Sequence, residues 1–541
     1  MTELITAKQM QALEQAAIEA GQVSGLELME RAGKGVVEAI FEEWPDLALT
    51  SHRAVVLCGP GNNGGDGFVI ARLLKEWGWE VFAFLYANPN KLPPDALVNF
   101  HRFSQLGVVH PWSVQAIRDI CMNDSEPTTL LVDALFGTGI LRDLPAEIAA
   151  LQQEGVLPEQ IKRVSVDLPS GLCSDSGKTY GGKDSGALQS ALTVTFHTPK
   201  LGHFLCDPSH PDGKSPCTDK VVVKDIGLKG PAPREGVTLL QAPVGQSLAK
   251  SRGHKYEHGH LLVLSGGAGR TGAARLAARA AVRVGAGLVT LGVPASAQLE
   301  VACQITAIML TRAGTTEELS AALEDRRINA ICLGPGLGQR RARALVPLVL
   351  GHAGKPCVVL DADGLSAFEH DPEALFDLLH DKCVLTPHAG EFGRLFPDLA
   401  AKMEASARGG ALYSKVDAAR EAAQRAGCVI LLKGADTVIA QADGRCSLNA
   451  ALYERAAPWL ATAGAGDVLA GFIAGLLARG FAPMAAAEAG AWLHVACALS
   501  FGPGLIAEDL PEELPKVLRQ FGPMLRSSKG TQSEQMRAPT R

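Results

Sequence analysis

The chain has 541 residues, more than one ordinary hydrophobic core supports, since cores divide beyond about 250 to 300 residues; two domains are expected. Its 47% hydrophobic and 20% charged residues describe a globular protein and exclude disordered or collagen-like structure for the bulk of the chain. The net charge of -6, with both signs mixed throughout, provides no basic stripe for a phosphate backbone, so small molecules rather than nucleic acid are the expected partners.

The opening Met1-Thr-Glu-Leu-Ile-Thr-Ala-Lys8 has acidic and polar residues where a signal peptide needs a basic and then an apolar stretch, and a cytoplasmic protein is expected. Apolar positions recur at helical spacing from about residue 6 to 43 and stop at a Trp44-Pro45 break. The strand-like run Ala54-Val-Val-Leu-Cys58 follows. Next comes Gly59-Pro-Gly-Asn-Asn-Gly-Gly-Asp-Gly67, read as a loop before a helix beginning near Phe68. Such a turn aims backbone N–H groups and the positive helix end at an anion. Asn62, Asn63 and Asp66 add side-chain oxygens that a turn alone does not require, and the glycine spacing departs from the dinucleotide fingerprint.

Leu130-Leu-Val-Asp133 and Val164-Ser-Val-Asp167 are short apolar runs ending in Asp, and Ala191-Leu-Thr-Val-Thr-Phe196 alternates. Strands alternating with helices predict an α/β fold with a parallel sheet, whose ligands lie at the carboxyl ends of the strands. Asp133 and Asp167 should therefore converge with the Asn-Gly loop. Either Asp alone is most simply a cap or turn residue; the combination points to chemistry.

The stretch 227–245, rich in Gly and Pro, is the expected linker between domains at 1–226 and 246–525. Residues 526–541 are nearly devoid of apolar side chains and are expected to be a disordered tail. After the linker the pattern restarts with the strand His260-Leu-Leu-Val-Leu264, a Gly-rich loop and an Ala-rich helix from Ala273 to Val284. Asp361-Ala-Asp-Gly364 ends another strand, and Thr386-Pro-His-Ala-Gly-Glu-Phe-Gly393 supplies His388 and Glu391. Lys433-Gly-Ala-Asp-Thr437 follows the apolar strand Cys428 to Leu432 and suits a clamp on a nucleotide phosphate. Ala461-Thr-Ala-Gly-Ala-Gly-Asp467 leads into a helix from Val468 to Leu477. There Gly464, Ala465 and Gly466 would present N–H groups to a transferring phosphoryl group, with Asp467 as the base.

The apolar windows Val468 to Leu477 and Ala485 to Leu499 are respectively too short, and interrupted by Glu488 and His494, for a bilayer span of ~20 residues; they are expected to be buried helices, with no membrane partner. The 12 cysteines contain no Cys-x-x-Cys pair, so reduced thiols are expected rather than a zinc site or disulfide framework.

In the first half, Leu28-Met-Glu-Arg-Ala-Gly33, Asn62-Asn-Gly-Gly-Asp-Gly67, Leu135-Phe-Gly-Thr-Gly139, Asp167-Leu-Pro-Ser-Gly171 and Thr193-Val-Thr-Phe-His-Thr-Pro-Lys200 together resemble the NAD(P)HX epimerase family, the YjeF N-terminal domain. The resemblance implies a Rossmann-like domain in which Asn62, Asn63, Gly64, Gly65 and Asp66 hold the hydrated dinucleotide together with Gly137, Thr138, Gly139, Ile140, Leu141, Arg142 and Asp143. Asp167 would bind that substrate too and be the acid/base residue, and Asn63, Asp133 and Ser170 would hold a potassium ion. His197 stands where the family pattern leads one to expect a smaller residue.

In the second half, Gly266-Gly-Ala-Gly-Arg-Thr-Gly-Ala273, Val284-Gly-Ala-Gly-Leu-Val289, Gly334-Pro-Gly-Leu-Gly338 and Thr386-Pro-His-Ala-Gly-Glu391 resemble the ribokinase-like superfamily and, more narrowly, the NAD(P)HX dehydratase family. That implies a second doubly wound domain in which Ala273, Gly336, His388 and Asp467 contact the hydrated dinucleotide, with Asp467 catalytic. Lys433, Gly434, Ala435, Asp436, Thr437 and Gly466 would hold the nucleotide. The fused form implies ADP as phosphoryl donor, AMP and phosphate as products, NADHX and NADPHX as substrates, and a homo-oligomer. Magnesium is expected because it bridges donor phosphates and neutralises charge in transfer; the sequence does not identify its ligands, Asp361 and Glu391 being candidates. A small-molecule kinase with a regulatory or binding N-terminal domain is the alternative, distinguished by a stable phosphorylated product.

Overall fold

In the computed structural model the described residues are 2–123, 128–152, 157–180, 186–206, 217–228, 236–243, 248–250, 253–405 and 412–521. Much of the expected linker and the whole of the 526–541 tail lie outside them. The chain divides into two compact units, one built on residues 2–237 and the other on 238–404 and 415–521.

The strands of the first unit are β1 (Thr2–Leu4), β2 (Arg53–Cys58), β3 (Glu80–Leu85), β4 (Val109–Pro111), β5 (Leu130–Ala134), β6 (Lys162–Val166), β7 (Leu192–Phe196) and β8 (Val221–Lys224). Seven of them form a parallel sheet in the order β4-β3-β2-β5-β6-β7-β8. β2 and β5 are buried along their whole length, which is why they read as largely apolar runs; β7 is equally buried although Thr193 and Thr195 make its sequence alternate. The strand order reverses between β2 and β5, so a crevice opens there beyond their carboxyl ends.

The periodic stretch 6–43 folds as two helices, Ala7–Glu19 and Gly25–Glu43. Gly21, at φ 65, ends the first, and Ser24 and Glu27 cap the second reciprocally. The helix expected near Phe68 begins at Asn62, so most of the glycine run is helix rather than loop. Its glycines permit close approach: a Cβ on Gly64 would lie 2.1 Å from Gly59 O, and one on Gly67 2.8 Å from Ala134 Cβ. Any larger side chain would push the helix off the strand ends.

The second unit contains β9 (Val237–Leu239), β10 (His260–Leu264), β11 (Leu288–Val293), β12 (Met309–Arg312), β13 (Ile328–Leu333), β14 (Cys357–Leu360), β15 (Cys383–Leu385), β16 (Val429–Leu432), β17 (Asp436–Ala440) and β18 (Cys446–Ala450). They follow the order β9-β18-β17-β16-β15-β14-β13-β10-β11-β12, parallel from β16 to β12 and antiparallel in the β16-β17-β18 meander. Here the reversal falls between β10 and β13.

The helix Ala465–Ala478 starts before Val468, which puts Asp467 in its first turn. It lies close against Gly272–Arg283, because Gly471 and Gly475 carry no side chain: a Cβ on Gly471 would meet Ala277 O at 2.2 Å. Pro483–Phe501 is, at 19 residues, long and apolar enough to cross a membrane by length and composition. In this unit its apolar residues Ala486, Leu493 and Cys497 are buried in the core. Its Glu488 accepts from Ser447 Oγ at 2.5 Å and His494 Nε2 is 2.9 Å from Ala465 O, so both polar side chains are satisfied. All 12 cysteines are free thiols, most of them buried.

Candidate active sites

At the β2/β5 reversal lies a cavity of about 610 Å³. It is lined by Asn62, Asn63 and Asp66 from the helix start, by Gly137, Thr138, Gly139, Ile140, Leu141 and Arg142 after β5, and by Asp167 after β6. Gly64 and Gly65 instead face inward, where a Cβ would strike Gly59 and Met29, and exposed Asp143 lies outside the lining. Gln11 and Glu14, from the helix Ala7–Glu19, complete the wall.

Asp167 sits immediately after β6 at φ 64, a left-handed conformation that Asp tolerates better than most residues. Its Oδ1 takes a hydrogen bond from Thr195 Oγ1 at 2.8 Å and an ion pair from Lys200 Nζ at 2.8 Å. Lys200 is buried, and its ammonium also donates to Thr195 Oγ1 at 2.8 Å and Phe196 O at 3.1 Å. Burial would raise the Asp167 carboxyl, but the charge and hydrogen bond of Lys200, followed by His203 and Thr195, outweigh it and hold the group below the usual range. His203 Nδ1 accepts from Lys200 N at 3.0 Å, so in the neutral ring Nε2 carries the proton and donates to Asp167 O at 2.8 Å. Burial and then Lys200 drive His203 down to about 4, which keeps it neutral. Oδ2 lies against Gly137, where a Cβ would come within 3.2 Å of it.

Asp133 is buried and receives only neutral donors: Ser170 N at 2.8 Å, Ser170 Oγ at 2.6 Å, Leu135 N at 3.2 Å and Ser165 Oγ at 3.5 Å. Burial raises its carboxyl against those hydrogen bonds. Ser170 Oγ is also 3.3 Å from Phe136 O, and the Asn63 carboxamide bridges Val166 O at 3.2 Å and Gly137 N at 3.3 Å. A buried carboxylate with no cationic partner among the described residues, set among hydroxyl and carbonyl oxygens, fits a monovalent hard cation.

In the second unit, Ala273 and Gly336 meet at the β10/β13 reversal, where Gly336, at φ 63, would bring a Cβ to 3.4 Å from Ala273 Cβ. A second group gathers around Lys433, whose Nζ is 2.7 Å from Asp361 Oδ1 and 3.8 Å from Glu391 Oε2. A Cβ on Gly466 would lie 3.6 Å from that Nζ, so the helix N-terminus and the lysine share one face. Burial, then Asp361, push Asp467 up to about 6; Lys433 opposes this while Asp363 and Glu391 reinforce it. An ionisation near 6 suits a base working around neutrality.

His388 and Glu391 form a reciprocal cap, His388 Nδ1 accepting from Gly390 N at 3.0 Å and Glu391 Oε2 from His388 N at 2.9 Å. With Nδ1 accepting, the neutral ring of the exposed imidazole carries its proton on Nε2, which lies 3.5 Å from Glu391 Oε1. Gly434 and Ala435 form the turn between β16 and β17. Asp436 and Thr437 are buried in β17, Asp436 pairing with Lys415 Nζ at 2.6 Å and Thr437 Oγ1 closing the turn on Gly434 O at 2.7 Å. Asp361 and Glu391, the candidate magnesium ligands, are already compensated by Lys433, and among the described residues no three His, Cys, Asp or Glu side chains converge on a metal position. That donor set does not make a protein cage for magnesium, which is usually held by one or two carboxylates and substrate phosphates.

Sequence reasoning assigned no role to Glu14, Gln11, Lys200, Thr195, His203 or Lys415. Lys200 stood within a quoted motif, but nothing local signals its pairing with Asp167.

These sites define the class: a two-domain α/β enzyme with an acid/base cavity on one sheet and a phosphoryl-transfer site on the other. A family model described as YjeF-related protein N-terminus matches residues 25–202, and one described as NAD(P)H-hydrate dehydratase matches residues 261–518. A bifunctional NAD(P)H-hydrate repair enzyme of Moorella thermoacetica is 37% identical over 96% of this chain and 97% of its own length. An NAD(P)H-hydrate epimerase of Rhodobacter capsulatus is 44% identical over 42% of this chain and its own full length. A solved ADP/ATP-dependent NAD(P)H-hydrate dehydratase from Bacillus subtilis, co-crystallised with ATP and Mg2+, is 28% identical, covering 51% of this chain and 96% of that one at a TM-score of 0.40. The chain belongs to the family of bifunctional NAD(P)H-hydrate repair enzymes. The small-molecule kinase alternative is not favoured by these relatives.

Proposed function

We propose that the first unit interconverts the R and S forms of NADHX and NADPHX, and that the second dehydrates the S form to NADH or NADPH with ADP as phosphoryl donor, releasing AMP and phosphate. The observation that supports this most is the presence, on one chain, of a carboxylate held ionised in a cavity at the strand ends and a second carboxylate pushed up to about 6 at a helix N-terminus.

Hydration leaves a hydroxyl on the ring carbon beside the nicotinamide nitrogen. In the first cavity, the nitrogen lone pair expels that hydroxyl once it is protonated, and water re-enters the planar iminium from either face. Asp167 is the group that accepts the proton of the entering water. Asn63, Asp133 and Ser170 would hold potassium, which when bound supplies the positive charge that buried Asp133 lacks.

In the second site the difficulty is the leaving group, since hydroxide departs poorly and a phosphate ester departs well. Asp467 takes the hydroxyl proton as the oxygen attacks phosphorus. The N–H groups at Gly464, Ala465 and Gly466 face the charge that develops on the phosphoryl oxygens. Lys433 lies where it would meet the donor phosphates, and magnesium would enter with those phosphates.

Asp167→Asn in the full chain tests the reading. Dehydration of one epimer should continue while the other accumulates; consumption of both epimers at the parental rate would remove the epimerase assignment.

A further inference from the structure

The epimerase reading leaves a proton unaccounted for. Departure of hydroxyl from one face of the ring needs an acid on that face, and entry of water on the other needs a base there. Asp167, tied to Lys200 and held ionised, serves as the base. The helix Ala7–Glu19 is fixed beside the cavity by the Thr6–Gln9 capping box and by Ala7 N donating to Asp175 Oδ1 at 2.8 Å. From it Gln11 and Glu14, three residues apart and so on one helix face, reach the cavity wall. Glu14 is half-buried and forms no hydrogen bond or ion pair among the described residues.

We infer that Glu14 is the second acid/base residue of the epimerase site, the partner that protonates the departing hydroxyl while Asp167 deprotonates the entering water. The inference rests on the epimerase reading above. The charged groups around Glu14 are Asp167 and Asp66, which share its cavity, Lys200 behind Asp167, and Arg142 at the exposed rim. Lys200 already serves Asp167, Thr195 and Phe196, so two further carboxyl groups are left facing one cavity without a partner of their own. Burial, then the Asp167 charge, raise Glu14 above its ordinary range, with Lys200 partly opposing. Burial followed by Asp167 and Glu14 raises Asp66 well above its own.

The steps balance. Protonated Glu14 gives its proton to the hydroxyl as the C–O bond breaks and the ring nitrogen pair forms the C=N bond; water leaves. Water then adds on the opposite face, the nitrogen recovers its pair, and its proton passes to Asp167. Proton exchange with solvent returns Glu14 to the acid and Asp167 to the carboxylate. The reverse epimerisation uses the two groups in exchanged roles.

The test uses the full chain with separated R and S NADHX, following interconversion chromatographically across pH against an enzyme-free blank. For the parent, a bell-shaped profile is expected, its alkaline limb from Glu14 and its acid limb from Asp167. Glu14→Gln should lower kcat roughly a hundredfold in both directions and abolish the alkaline limb. Exchange protection of β6 and β7 should stay at the parental level, which reports folding of the first unit, and dehydration of the S form should stay at the parental rate, which reports folding of the second. Gln11→Ala, on the same helix face but without a proton, should change KM and leave the limb in place. A Glu14→Gln chain with parental kcat and an intact alkaline limb, or with a change in KM alone, would overturn the inference. If the parent chain fails to interconvert the epimers, it is the epimerase reading that falls.

Discussion

Replacing Asp467 by Asn should cripple dehydration while stabilising the second unit. Because burial and then Asp361 push this carboxyl up to about 6, the folded chain binds the proton more tightly than the unfolded chain. The resulting penalty is absent below the ordinary Asp value of about 3.9, grows between there and about 6, and is complete above. Two pKa units correspond to about 3 kcal/mol, but the side chain is partly open to solvent, and screening reduces the expected gain for Asn to about 1–2 kcal/mol at pH 8 and none at pH 4. Hydrogen exchange read by mass spectrometry on β13 and β14 isolates this unit from the other. The same protein should dehydrate S-NADHX at least roughly a hundredfold more slowly. Equal destabilisation by Asn at both pH values, or dehydration at the parental rate, would refute the placing of Asp467 as a strained, ionised base.

The remaining predictions concern Asp467 and Asp167. Dehydration by the parent chain should lose about tenfold in rate per pH unit on an acid limb centred near about 6, read by the absorbance of the reduced nicotinamide; a limb centred in the ordinary carboxylate range would contradict the burial argument. Lys200→Met should destabilise the first unit by about 3–5 kcal/mol at neutral pH, since it leaves Asp167 buried without its partner. Asp167 is depressed, so the stability it contributes is present above its unfolded value and lost as pH falls through its folded value; the Lys200→Met loss must shrink accordingly in acid. Exchange protection of β6 and β7 that falls equally at neutral and acid pH would sink that account.

Much of both sites was legible because parallel strands buried on two faces read as unbroken apolar runs, and each ends in the polar residues that flank the strand-order reversal. Asp133, Asp167, Asp361 and Lys433 are found this way, since each follows or closes such a run. The start of the helix at Asn62 was not legible, because consecutive glycines signal a loop unless the surface they pack against is known. Glu14 is one of two acids, with Glu19, on the helix Ala7–Glu19, and only the tertiary fold turns it into the cavity. Lys200 is hidden for a related reason: its buried charge is intelligible only beside Asp167, which belongs to a different strand end. Asp436 and Thr437 read as part of a phosphate clamp, whereas their side chains bond to Lys415 and Gly434 inside the turn.

The central claim, that one chain clears both epimers of a hydrated dinucleotide, is tested most directly by acid-hydrated NADH containing both forms, incubated with the full chain, magnesium, potassium and either ADP or ATP. Complete recovery of NADH absorbance with ADP is predicted. Recovery that stops at the share of one epimer would contradict the epimerase assignment, and no recovery beside a stable phosphorylated product would contradict the account as a whole.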